Sequence, residues 1–295
     1  MAYIIDNGWY EGYEGPKRSS YIIEEKKIAY VGKRLSKISY MRMDISPYFI
    51  SSGRIYVHTQ KEFYTPTKEK ERELIQLGYT TVVLPLWISS FKKLQYELKK
   101  AAHCMINSTL DYLIGVYIPF HLLTPAFIRT CRRFNVPFIC VDITMDTAFE
   151  NSAWGWLRQA NFPNPIPLYP VWNGIEEREH DVVKKRWSEI LRDHHLPTVN
   201  NILNEKKDLH EDAVMQIGLY PIKGALLVGS DLDYALYDRL VDEQGKILYD
   251  STKPKLVVLR EKVLMAGENT FLQPGFGRKI DISIAGRFSS LHTLP

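Results

Sequence analysis

Cysteine is scarce in this chain. Cys104, Cys131 and Cys140 are three in 295 residues, too few and too unevenly spaced for a disulfide framework. They are expected as reduced thiols, which suits a cytoplasmic protein. No apolar run reaches 18 residues, so no transmembrane helix is expected. The first nine residues carry Asp6 and no basic stretch, and do not read as a secretory leader. Neither sign of charge dominates: 38 Lys and Arg against 34 Asp and Glu leave +4, too small an excess to expect a nucleic-acid partner. There is no G-x-S-x-G elbow of a serine hydrolase. Gly275-Phe276-Gly277 is a bare G-x-G with no helix pattern after it, so a phosphate cradle is not expected there. What remains is the composition of a globular protein, 45% apolar and 24% charged. Its 18 tyrosines suit half-buried strands and interfaces.

Both ends of the chain read as β. Tyr21-Ile22-Ile23 and Ile28-Ala29-Tyr30-Val31 flank the charged tetrad Glu24 to Lys27 and predict a hairpin. Near the other end, Gly224 to Gly229, Tyr234 to Tyr237, Lys255 to Arg260 and Lys262 to Ala266 read as strands, with a turn over 242–246. The middle alternates. Apolar runs at Ile55 to Val57, Thr80 to Leu86, Tyr112 to Ile118 and Val136 to Thr144 suit strands covered on both faces. Between them lie helical patterns over Pro66 to Leu77, Phe91 to Ile106 and Pro125 to Phe134, the last capped by Thr124. This is the βαβ pattern of a parallel sheet. Pro163, Pro165, Pro167 and Pro170 then predict an irregular connection holding one short extended piece, Pro167 to Trp172. A charged helix is expected over Glu176 to Asp193, with shorter ones over 200–205 and 210–217.

The end segments resemble the amidohydrolase superfamily, above all its dihydropyrimidinase- and dihydroorotase-like cyclic amidases. The resemblance rests on Asn7-Gly8, Ile28 to Gly32, Asp44-Ile45-Ser46 and Ser52 to His58 at one end. At the other it rests on Ile217 to Asp233, with Lys223, Gly224, Gly229, Asp231 and Asp233 in place, then Pro254 to Arg260 and Pro274 to Arg278. The resemblance implies a small β-sandwich made from both chain ends (1–52 and 217–295) and a metal-bearing barrel between them (53–216). That middle region holds only about 160 residues where a complete (β/α)8 barrel takes about 250. The expected fold is therefore α/β plus β, with an incomplete TIM-like barrel inserted in the composite sandwich.

The resemblance also implies where metal ligands should stand, and the residues depart from it. The family's His-x-His pair at the end of the first barrel strand is here His58, Thr59, Gln60, and glutamine is a poor zinc ligand. The fourth strand, Phe138 to Thr144, lacks the family's bridging lysine. His58 remains a candidate metal ligand, against the plainer reading of a half-buried histidine bonded to a backbone carbonyl. Asp142 is a candidate ligand or general base, against a strand-end residue capping the next turn. Cys140 shares a strand face with Asp142 and could join it, against a buried structural thiol. His194 and His195 are adjacent and diverge on a helix by about 100°, so they do not share an ion.

An incomplete barrel leaves an apolar inner face and strand edges uncovered. The candidates to cover them are the proline-rich segment with the helix after Glu176, or a second subunit, so a homo-oligomer, in the first place a dimer, is expected. The leading expectation is a non-catalytic interaction or structural protein with no cofactor. The alternative is a hydrolase of a cyclic amide or related C–N bond with zinc or another divalent metal in a reduced site. A third is a small-ligand sensor using the strand ends.

Overall fold

The computed structural model describes residues 2–12, 15–33, 35, 37–58, 64–196, 209, 211–241 and 247–282. The expectations for Thr59, Gln60, 200–205 and 242–246 lie outside them.

The two chain ends share one mixed sheet of nine strands. Its N-terminal members are β1 (Tyr3–Gly12), β2 (Gly15–Glu24), β3 (Lys27–Gly32), β4 (Met41–Asp44) and β5 (Tyr48–Ser52). The expected hairpin joins β2 to β3 through Glu25 and Lys26, both at positive φ, the geometry that matches a two-residue turn to strand twist. Numbering the later strands in chain order, β11 (Asp233–Asp238), β14 (Pro254–Leu259), β15 (Lys262–Ala266) and β16 (Asn269–Thr270) complete the sheet. The seam is β5 against β11, antiparallel, with Ser52 opposite Tyr234 and Tyr48 opposite Asp238. Side chains alternate across it: Tyr234 and Leu236 enter a core with Ile5, Tyr21, Ile23 and Ile50, while Ala235 and Tyr237 face a larger core shared with the helices. A small separate hairpin pairs β12 (Leu240–Val241) with β13 (Ile247–Leu248).

The middle of the chain forms a second, all-parallel sheet in sequential order: β6 (Arg54–Val57), β7 (Tyr79–Trp87), β8 (Asp111–Pro119), β9 (Ile139–Ile143) and β10 (Leu168–Trp172). Four of these are the expected strands. The fifth is the short extended piece expected over 167–172, and it is a full member of the sheet: it pairs in register with β9, Leu168 opposite Ile139 through Trp172 opposite Ile143. Its Pro170 is tolerated because β10 is an edge strand, where a missing N–H costs no ladder bond. The connecting helices are α1 (Lys68–Gln76), α2 (Leu94–Cys104), α3 (Pro125–Arg133), α4 (Trp154–Asn161) and α5 (Glu177–Asp193). Thr124 caps α3 as expected, its side chain accepting from the Phe127 amide at 3.2 Å. Helix α4 was not anticipated, since Gly155 sits inside it and prolines follow directly. Among the described residues no helix is long and apolar enough to cross a membrane.

The inner face of this half-barrel is apolar: Ile55, Val57, Val83, Leu113, Phe138 and Tyr169 point into it. Its cover differs from the expected one. Helix α5 packs on the outer layer through Trp187 and Leu191. The inner face is instead closed by α6 (Glu211–Ile217), through Ala213, Val214 and Ile217, and by Ile280 and Ile282 near the C-terminus.

The C-terminal segment reaches that position by filling a gap in the sheet. Pairing of β8 with β9 begins only at Val116, so the first residues of β8 lack a neighbour on that side. Residues 278–280 take the place: the Tyr112 amide donates to the Arg278 carbonyl at 3.0 Å, and the Ile280 amide to the Tyr112 carbonyl at 2.8 Å. Gly277 makes the approach possible, because its amide bonds the Ser108 carbonyl and a Cβ there would lie 2.0 Å from the Leu110 carbonyl oxygen. The role of this G-x-G is therefore close backbone passage. Gly277→Ala is expected to destabilise the protein by about 1–3 kcal/mol, read as a lowered urea midpoint with an unchanged slope.

Candidate functional site

In barrels of parallel strands the chemistry sits at the C-terminal strand ends. Here that rim carries His58 and Asp142, while Cys140 lies inside β9, two residues before Asp142. His58 follows β6 directly; its amide donates to the Val83 carbonyl at 3.0 Å, and its ring stands edge-on to Tyr64 with centroids 5.5 Å apart. Tyr64 belongs to the outer, helix-facing core. Cys140 belongs to the inner core, wholly buried, and burial pushes its thiol pKa well up, which disfavours a thiolate at neutral pH. Asp142, two residues on, accepts a hydrogen bond from the Tyr117 hydroxyl at 2.9 Å. Burial first, and then this bond to the carboxylate, raise the Tyr117 pKa, so the phenol stays protonated as the donor. Trp87 packs against Tyr117, ring centroids 4.8 Å apart. Cys140 and Asp142 thus stand on one strand face, as alternation demands, while the His58 ring packs into the other layer.

A catalytic zinc needs three protein ligands and an open position. Among the described residues, one group of His, Cys, Asp or Glu side chains lies within reach of a single ion, and it is Asp111, Asp231 and Asp233. This group stands at the start of β8, the opposite end of the strands from the rim. It is already filled by a cation from the chain. The Lys223 ammonium, 1% exposed, lies 2.6 Å from Asp111, 2.9 Å from Asp231, and bonds Asp233 as well. Neither the rim residues nor this group fit a divalent metal.

The group was missed as a unit in the sequence, although Lys223, Asp231 and Asp233 carried the resemblance. A strand predicted over Gly224 to Gly229 hid it. The structure has no strand there: Gly224 and Gly229 both take positive φ, and the segment loops so that Lys223 and Asp231 face each other. Two arginines complete the arrangement. Arg260 bonds Asp111 at 2.8 Å, and its amide donates to Asp233 at 3.0 Å. Arg260 and Glu261 form the two-residue turn between β14 and β15, both at positive φ. Arg278 donates its amide to Asp111 at 2.9 Å and its guanidinium to Asp231. Three carboxylates thus meet three cations, with Lys223 buried at the centre and Arg278 half-exposed at the edge.

Burial alone would lower the Lys223 pKa, but the charges of Asp233, Asp111 and Asp231 outweigh it and raise it above 10.5. Asp231 is held below the usual carboxylate value by Lys223 and Arg278 despite its burial. Asp233 is pushed up to about 6 by burial and by the neighbouring carboxylate of Asp111, against the pull of Lys223.

No family model matches the sequence, and no curated protein matches it significantly. Solved structures do match in fold. The dihydropyrimidinase from Brevibacillus agri superposes with a TM-score of 0.63 at 12% identity, over 97% of this chain and 100% of that one. An L-hydantoinase (dihydropyrimidinase) from Arthrobacter aurescens gives 0.62 at 11% identity, over 95% and 100%. An adenine deaminase gives 0.53 at 12% identity, over 88% and 98%. The chain therefore shares the fold of these structures, the fold that the resemblance of its end segments implied.

Lys223→Met would strand three buried carboxylates against two arginines. It is expected to cost about 3–5 kcal/mol, measured by urea unfolding. The pH dependence follows from the sign of each shift. Lys223 has a raised folded pKa, so its contribution is present in full below pH 10.5 and lost as pH rises through the folded value. Buried Tyr21, Tyr64 and Tyr234, raised chiefly by burial, act in the same direction above pH 10. On the acid side, Asp231 loses its contribution as pH falls below 3.8, whereas that of Asp233 declines as pH rises from 3.8 through about 6. Thermal scans should show an alkaline fall in melting temperature, starting lower and losing its Lys223 component in the variant.

Proposed function

We propose that this chain is an amidohydrolase-like protein that has lost metal-dependent hydrolysis and acts as a non-catalytic interaction or structural protein of the cytoplasm, working as a homodimer. The observation that carries this reading is the divergence of the strand-end donors. The His58 ring packs on Tyr64 in the outer core, Cys140 lies in the inner core, and Asp142 is bonded to Tyr117. A metal-bound hydroxide needs ligands that converge, and these do not.

A second reading keeps hydrolysis of a cyclic amide or related C–N bond. Its support is the fold shared with a dihydropyrimidinase and an L-hydantoinase, together with a carboxylate, Asp142, at the strand end. Fold alone does not fix function. The dimer is favoured by the edge strands: β6 and β10 each pair on one side only within the parallel sheet. The apolar inner face no longer calls for a partner, since α6 and Ile280 cover it. A composite sandwich is the reading of the mixed sheet that fits its two cores best.

Elemental analysis of purified protein, with turnover of dihydrouracil and hydantoin with and without a chelator, tests the function. Less than stoichiometric divalent metal and no chelator-sensitive turnover are expected. A stoichiometric ion lost in His58→Ala, with turnover that chelation abolishes, would overturn the reading. Light scattering tests the assembly: twice the chain mass at micromolar concentration is expected, and the mass of a single chain would refute the dimer.

A further inference from the structure

The C-terminal end of α3 opens onto a cavity of about 440 Å³, within the size range of small-molecule sites. It lies at the start of β9 and β10, the end of the strands remote from the rim that carries His58 and Asp142.

Its walls are of one charge. Arg129, Arg132 and Arg133 line it, spaced i, i+3 and i+4, and so share one helix face. Among the described residues no carboxylate lines it. Arg132 is held in place by the Ala160 carbonyl at 3.1 Å and by the Phe162 carbonyl, which fixes the junction of α3 with α4. Arg129 and Arg133, both exposed, have no hydrogen bond or ion pair among the described residues. Like charges at i and i+4 repel. The helix dipole offsets this in part, since cations are favoured in a last turn, but three guanidiniums around one cavity leave a field that an anion would neutralise.

The remaining walls suit an organic ligand. Helix α3 ends in a Schellman arrangement: the Val136 amide bonds the Cys131 carbonyl at 2.9 Å, and the Asn135 amide bonds the Arg132 carbonyl at 3.1 Å. Asn135 takes the left-handed conformation there (φ 52), a position where glycine is commonest. Its side chain and that of Asn164 add amide donors and acceptors to the cavity. Val136, Ile166 and Ile282 give an apolar floor.

We infer that this cavity binds a small organic phosphomonoester, its phosphate held by Arg129 and Arg133 and its body on the apolar floor. Charge decides the class. A phosphomonoester carries about −1.5 to −2 near pH 7, which engages two guanidiniums, whereas a monocarboxylate would leave most of the positive field unmatched. Planar guanidiniums bind such oxyanions through paired hydrogen bonds. The volume exceeds what a bare phosphate needs, so the organic part contributes. This inference stands whether or not the rim is catalytic.

Isothermal titration of the full chain with inorganic phosphate, ribose 5-phosphate and a nucleoside 5′-monophosphate at low salt tests it. Saturable one-to-one binding of at least one ester, tighter than inorganic phosphate and weakened by added salt, is expected. Arg129→Gln and Arg133→Gln should each weaken it about tenfold, and Arg158→Gln, on α4 and outside the cavity wall, should not. Arg133→Lys keeps the charge and should lose less than Arg133→Gln, which separates ligand contact from any loss of folding. No saturable binding, equal affinity for phosphate and both esters (an adventitious ion only), or affinity unchanged in both glutamine variants would each overturn the proposal.

Discussion

The ammonium of Lys223 holds this architecture together. It is buried among Asp111 from the parallel sheet and Asp231 and Asp233 from the C-terminal part of the chain. An unpaired charge at such a depth would cost several kcal/mol, so each partner constrains the others. Asp111 fixes the foot of β8, Asp233 opens β11, Arg260 secures a two-residue turn in the left-handed region, and Arg278 anchors the strip laid beside β8. The half-barrel and the mixed sheet are therefore joined by electrostatics at their meeting point, with hydrophobic packing on either side.

Metal enzymes of this general architecture place a divalent ion where strand carboxylates and imidazoles converge. In this chain the converging carboxylates are at the opposite end of the strands and carry a lysine. The same physics, several anions gathered around a cation in low dielectric, is used for cohesion. The strand-end rim is different: a phenol–carboxylate hydrogen bond, a thiol in an apolar core and an imidazole on an aromatic ring.

Much of the fold was legible in the residues, because long apolar runs such as Thr80 to Leu86 and capping signals such as Thr124-Pro125 are local. The failures have physical causes. Leu168 to Trp172 contains Pro170, which argues against a strand unless that strand is an edge, and edge position is a property of the assembled sheet. Gly224 to Gly229 has the apolar content of a strand, but its glycines at positive φ serve a loop that presents Lys223. The short helix expected over 210–217 is present as α6, but its place over the inner face is set by tertiary packing that the segment alone does not encode. Cys140 and Asp142 on one strand face followed from alternation, whereas the packing of His58 on Tyr64 is a tertiary contact no periodicity encodes. The charged cluster was legible only as spacing, since Asp111 and Lys223 are 112 positions apart.

The slot beside the first half of β8 has a consequence for folding. Its occupant comes from residues 278–280, and the amide of Arg278 meets the carboxylate of Asp111 across 167 positions. Until residues 278–280 are in place, the first half of β8 presents an unmatched ladder on one side, while Asp111 is already paired with Lys223 and Arg260. Contacts so distant along the chain form slowly. A truncation just short of residue 278 would leave the parallel sheet without its closing strip.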